Sequence, residues 1–105
     1  MASTPNSGTS FAIIGFGEAG PILADGLAAN GARVLAAYDV LIDDPKIAER
    51  GRARGVRIAA TPADAVAGAE VVISAVVSAQ AEAAASAVVP HLKPGQFYMD
   101  INSAS

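Results

Sequence analysis

The sequence has no cysteine, no tryptophan and a single histidine, His91, in 105 residues. Without cysteine there is no disulfide, no thiolate nucleophile and no cysteine-built metal site, and one histidine cannot supply a histidine zinc centre. No metal is expected. Charge is sparse too: 16% of residues are charged and they sum to −3 at pH 7. That balance leaves no electrostatic footprint for nucleic acid or for an anionic membrane surface, so neither is an expected partner. No apolar run approaches the roughly 20 residues of a membrane span. Residues 1–10, MASTPNSGTS, have neither the basic start nor the apolar centre of a signal peptide. They read as a mobile N-terminal lead, with the cytoplasm as the expected location.

What is present is small and apolar. Hydrophobic residues make up 52% and aromatics only 5%, so alanine, valine and isoleucine must fill the core. The length suits one domain, and a two-domain enzyme does not fit in it. From residue 11 onward apolar runs alternate with helical patterns, the signature of βαβ units around a parallel sheet covered on both faces. The strands are expected at Phe11–Ile14, Arg33–Tyr38, Val56–Ala59, Glu70–Val76 and Gln96–Ile101. The first helix carries Ala19, Leu23 and Leu27 on one face and ends at Gly31. A second runs from Pro45, capped by Asp44, to about Gly55, and a third starts at Thr61-Pro62 and closes at Gly68. The fourth, alanine-rich, is expected to be capped by Ser78 and stopped by Pro90. The charged residues Lys46, Glu49, Arg50, Arg52 and Arg54 read as a solvated helix face. Right-handed crossovers then give an α/β, Rossmann-type doubly wound parallel sheet in strand order 3-2-1-4-5, occupying residues 11–105.

Between the first strand and the first helix lies Gly15-Phe16-Gly17-Glu18-Ala19-Gly20, a G-x-G-x-x-G motif. Alone it is weak in a chain with ten glycines. Its context gives each glycine a separate steric reason: Gly15 for the tight turn, Gly17 for close approach of a pyrophosphate, Gly20 for tight packing of helix on strand. The helix N-terminus adds N–H groups and partial positive charge. Asp39 ends the second strand, 19 positions past Gly20, close to the spacing at which an acid meets the adenosine ribose. A carboxylate there favours NAD, since it repels a 2′-phosphate and no arginine follows it. NADP stays open through Arg50–Arg54. Glu18 is expected to point outward to solvent.

IIGFGEAGPILADGLAANGARVLAAYD resembles the N-terminal segment of the 6-phosphogluconate dehydrogenase and 3-hydroxyisobutyrate dehydrogenase superfamily, the β-hydroxyacid dehydrogenases. Leu23, Ala24, Leu27, Gly31 and Val34 fall in register with its pattern, and Ala19 stands where the pattern has methionine. TPADAVAGAEVVISAVV resembles the segment from the third strand to the loop after the fourth, and FYMDINSAS resembles the substrate motif. The resemblance implies an NAD(P)-binding domain in which Gly15, Phe16, Gly17, Glu18, Ala19, Gly20, Asp39, Val76, Val77, Ser78 and Asn102 contact the cofactor. It also implies that Asn102 and Ser103 bind a small hydroxy-acid substrate. A hydroxyl and an amide suit that work because they orient a carboxylate without adding charge.

Ala19 and Glu18 depart from the pattern and mark a divergent branch. The resemblance further implies a helical second domain, absent here, that carries a catalytic lysine and builds homo-oligomers. Lys46 and Lys93 are not in that context, so no catalytic residue is assigned and the chain by itself is expected to be inactive. Two alternatives share the glycine turn: a nucleotide-sensing Rossmann domain of the kind that regulates potassium transport, and a pyrroline carboxylate or prephenate type of reductase. The Asp-x-Asn-Ser ending argues against the first and, less decisively, against the second.

Overall fold

A computed structural model describes residues 8–101 of the chain. The strands are β1 (Ser10–Ile14), β2 (Arg33–Tyr38), β3 (Arg57–Ile58), β4 (Val71–Ser74) and β5 (Phe97–Asp100), alternating with helices α1 (Ala19–Ala29), α2 (Pro45–Arg54), α3 (Pro62–Val66) and α4 (Ala81–Val88). All pairings are parallel and the sheet order is β3-β2-β1-β4-β5, as the alternation predicts.

Neighbouring residues on a strand face opposite sides of the sheet, and β1 shows what this does. Ile13 joins Phe16, Ala24, Ala37, Ile47 and Val56 in a core under α1 and α2. Ala12 and Ile14 join Ala65, Val66, Val72 and Val88 under α3 and α4. A strand buried on both faces reads as a continuous apolar run for this reason.

Two helix starts follow their sequence signals. Asp44 accepts the Lys46 N–H on Oδ1 at 2.9 Å and Thr61 Oγ1 accepts the Asp64 N–H at 3.1 Å, each followed by proline as the first helical residue. The fourth helix departs from expectation. Ser78 opens a 3-10 turn, Ser78–Gln80, and α4 begins only at Ala81, with no side-chain cap at either start. The Gln80 N–H bonds the Val77 carbonyl at 2.8 Å, a tighter i to i+3 closure that moves the helix start past Ser78.

Strand ends also shift, at the start of β1 and at both ends of β3, β4 and β5. The chain is ordered into the sheet before Phe11: Ser10 is 2% exposed, its N–H donates to Glu70 Oε1 at 2.8 Å and its Oγ accepts the Glu70 N–H at 3.0 Å. Ser10 therefore belongs to β1 rather than to an N-terminal lead; residues 1–7 lie outside the described residues. β3 is two residues long, and just past it the Ala59 N–H still donates to the Ala37 carbonyl of β2 at 2.8 Å. β4 stops at Ser74, register partner of Ile14, because β1 ends there and the chain turns away.

Candidate functional site

Where β1 ends the chain turns sharply, and only glycine fits the turn. Gly15 has φ +96°, and a Cβ there would lie 2.8 Å from Val76 Cγ1 and 3.0 Å from the Ala75 carbonyl oxygen. Its N–H donates to the Tyr38 carbonyl at 2.7 Å, tying the turn to the end of β2. A Cβ on Gly20 would lie 2.1 Å from the Gly15 carbonyl oxygen, so the first turn of α1 rests directly on the turn backbone. A Cβ on Gly17 would meet nothing within 4 Å, which leaves the backbone there open to a ligand.

Phe16, between the two turn glycines, is fully buried with Ile13, Ala24 and Ile47. Its N–H donates to Asp39 Oδ2 at 2.7 Å, and Asp39 Oδ1 accepts the Leu41 N–H at 2.9 Å. The N–H groups of Gly15 and Phe16 are thus engaged within the protein. Donors for an anion begin at Gly17 and continue into the first turn of α1, whose N–H groups have no intrahelical partner.

These parts border a cleft of about 420 Å³ at the carboxyl ends of β1, β2 and β4. It lies where the strand order reverses between β1 and β4, the place at which open α/β sheets bind ligands. Of the residues singled out in the sequence, Gly15, Gly17, Glu18, Ala19, Asp39, Val76 and Val77 line it. Glu18 is exposed at its rim. The Phe16 ring, Gly20 and the exposed Ser78 do not line it: the ring is core, Gly20 is packing, and the 3-10 turn carries Ser78 past the wall. Asn102 and Ser103 lie outside the described residues.

The rest of the wall escaped the motif reading. Val40 and Leu41, 74% and 61% exposed, line the cleft together with Pro62 of α3, Ala84 and Ala87 of α4, Tyr38 and Gln80. The available signal was the apolar Val40-Leu41-Ile42 in a connection that ought to be polar. Among the described residues the cleft wall carries the carboxylates of Glu18 and Asp39 and no lysine or arginine. Arg54 is instead paired with Asp25 of α1 at 3.0 Å, Arg52 with Glu49, and Arg57 with Asp64 at 2.8 Å. Among the described residues no three His, Cys, Asp or Glu side chains group to hold a metal, and no helix is long and apolar enough to cross a membrane.

Known proteins share this architecture. A conserved hypothetical protein from Sinorhizobium meliloti 1021 superposes with a TM-score of 0.78 at 39% identity, over 90% of this chain and 32% of its own. The 3-hydroxyisobutyrate dehydrogenase of Mycobacterium tuberculosis, determined with L-serine, gives 0.77 at 25% identity over the same shares, 90% and 32%. A reductive aminase from Aspergillus terreus gives 0.67 at 19%, over 94% of this chain and 34% of its own, a likeness of fold alone. The chain thus spans about a third of the length of the structures it matches. No curated protein matches it. The family model described as NADP oxidoreductase, coenzyme F420-dependent, matches residues 10–104. With that match running from the first residue of β1 through the glycine turn to the end of the sheet, the chain belongs to the coenzyme F420-dependent NADP oxidoreductase family.

Proposed function

We propose that this chain is the nicotinamide-dinucleotide-binding domain of an oxidoreductase, and that the intact protein moves hydride between the nicotinamide and a small hydroxy acid. The observation that carries the reading is the joining of an open Gly17 turn to the Asp39 carboxylate at one cleft. Gly17 and the first turn of α1 would receive the pyrophosphate, the remaining lone pairs of Asp39 the adenosine ribose hydroxyls, and the apolar slot between Leu41, Pro62 and Ala84 the adenine. The bound dinucleotide supplies the hydride acceptor or donor, and the protein contributes binding and orientation. Val76 and Val77, on the loop after β4, would run along the nicotinamide half, and Asn102 and Ser103 would hold substrate beside it.

The absence of any cation among the described residues of the cleft wall, set against two carboxylates, supports NAD over NADP. A substrate-binding second domain, a lysine base within it, and homo-oligomers built through it complete the proposal for a longer protein in the cytoplasm. The 25% identity to 3-hydroxyisobutyrate dehydrogenase supports the hydroxy-acid class. The family match favours a second reading, in which the hydride partner is coenzyme F420 itself.

Calorimetric titration of the chain with NAD and NADP tests the core of this reading. Saturable binding with NAD tighter than NADP is expected, and Asp39→Ala should weaken NAD by about tenfold or more. Binding of neither nucleotide would overturn it.

A further inference from the structure

Besides the ribose contact proposed for it, Asp39 ties two connections of the chain together. Its two carboxylate oxygens accept backbone N–H groups from two separate connections: Oδ2 from Phe16 in the glycine turn at 2.7 Å, Oδ1 from Leu41 in the β2–α2 connection at 2.9 Å. Phe16 is fully buried, so its N–H needs an internal acceptor. We propose that Asp39 is a positioning residue for pyrophosphate binding: it fixes the glycine turn from outside the motif and holds the Leu41 side of the cleft in register with it. The proposal rests on the dinucleotide reading above but adds an effect on the phosphate half that ribose recognition does not produce.

The geometry supports this. With the Gly15 N–H held by the Tyr38 carbonyl at 2.7 Å, two successive N–H groups of the turn are anchored to the end of β2. The Phe16 ring, locked into the core under α1 and α2, prevents the turn from flipping. What remains free to face an anion starts at Gly17, in the orientation that the anchored peptides dictate. Each carboxylate oxygen keeps a further lone pair, so the brace and two ribose hydroxyls can be accommodated together. A carboxylate already fixed by two N–H groups loses little rotamer freedom when ribose arrives. An asparagine cannot do the same, since one of its terminal atoms is an NH2 donor and would face a backbone donor at one of the two positions.

The test compares ADP with 2′,3′-dideoxy-ADP, which keeps the phosphates and adenine and lacks both ribose hydroxyls. In the unaltered chain both should bind, the dideoxy form more weakly. Asp39→Asn should weaken dideoxy-ADP by about tenfold, although no ribose hydroxyl is there to lose. Val72→Ala, in the core away from the turn, should lower the melting temperature and leave dideoxy-ADP affinity within about twofold. Unchanged dideoxy-ADP affinity in Asp39→Asn would overturn the proposal. Amide hydrogen exchange without ligand tests the brace separately: the Phe16 amide should be protected in the unaltered chain and exposed in Asp39→Asn. Fast exchange in the unaltered chain overturns the brace even if the variant fails to fold, as does retained protection in a folded variant. If neither nucleotide binds the unaltered chain, the dinucleotide reading fails while the exchange result still decides the brace.

Discussion

A methyl group at position 20 would meet the Gly15 carbonyl oxygen at 2.1 Å, whereas at position 26, on the same helix, it would meet nothing within 4 Å. The two substitutions should therefore have opposite signs. Gly20→Ala must push α1 off the turn and should destabilise the chain by about 3 kcal/mol. Gly26→Ala removes backbone freedom from the unfolded chain at an open helical site and should stabilise it by about 0.5–1 kcal/mol. Equilibrium denaturation of the two variants checks both. The separate reasons for Gly15 and Gly20 were readable from the motif and its position between strand and helix. The bond from Phe16 to Asp39 was not, because spacing places an acid at the end of β2 without fixing its rotamer or its partner.

Among the elements, sequence reading succeeded where a local bond decides the outcome and failed where neighbours decide it. The Thr61 hydroxyl and Pro62 mark the start of α3 by chemistry contained in four residues, and Thr61→Ala should cost about 1 kcal/mol in the same assay. Ser78 carries the same capping chemistry, yet the tight closure from Val77 to Gln80 moves the helix start to Ala81. Strand lengths depend still more on context, since β4 ends with its partner β1. Burial separates two apolar positions that composition cannot. Phe16 is fully enclosed, and Phe16→Ala should cost about 3–5 kcal/mol. Met99, half exposed on the edge strand β5, should tolerate Met99→Lys within about 0.5 kcal/mol.

At the scale of the whole molecule, strict alternation and right-handed crossovers make the sheet order readable before any contact is known, and the observed β3-β2-β1-β4-β5 follows from them. The cleft was only half readable. Its glycine-turn end is one continuous motif, but its apolar wall is assembled from Leu41, Pro62 and Ala84, which sit on three different elements and meet only once the sheet is formed. What the molecule presents is thus a glycine turn, a carboxylate and an apolar wall on one cleft at the switch point of the sheet. The most direct test is to titrate NAD into isotopically labelled chain and follow the backbone amide signals. The account predicts shifts at Gly17, Glu18 and Ala19, at Val40 and Leu41, and at Ala84 and Ala87, all with one saturation curve. Shifts confined to other surfaces, or none at saturating NAD, would contradict it.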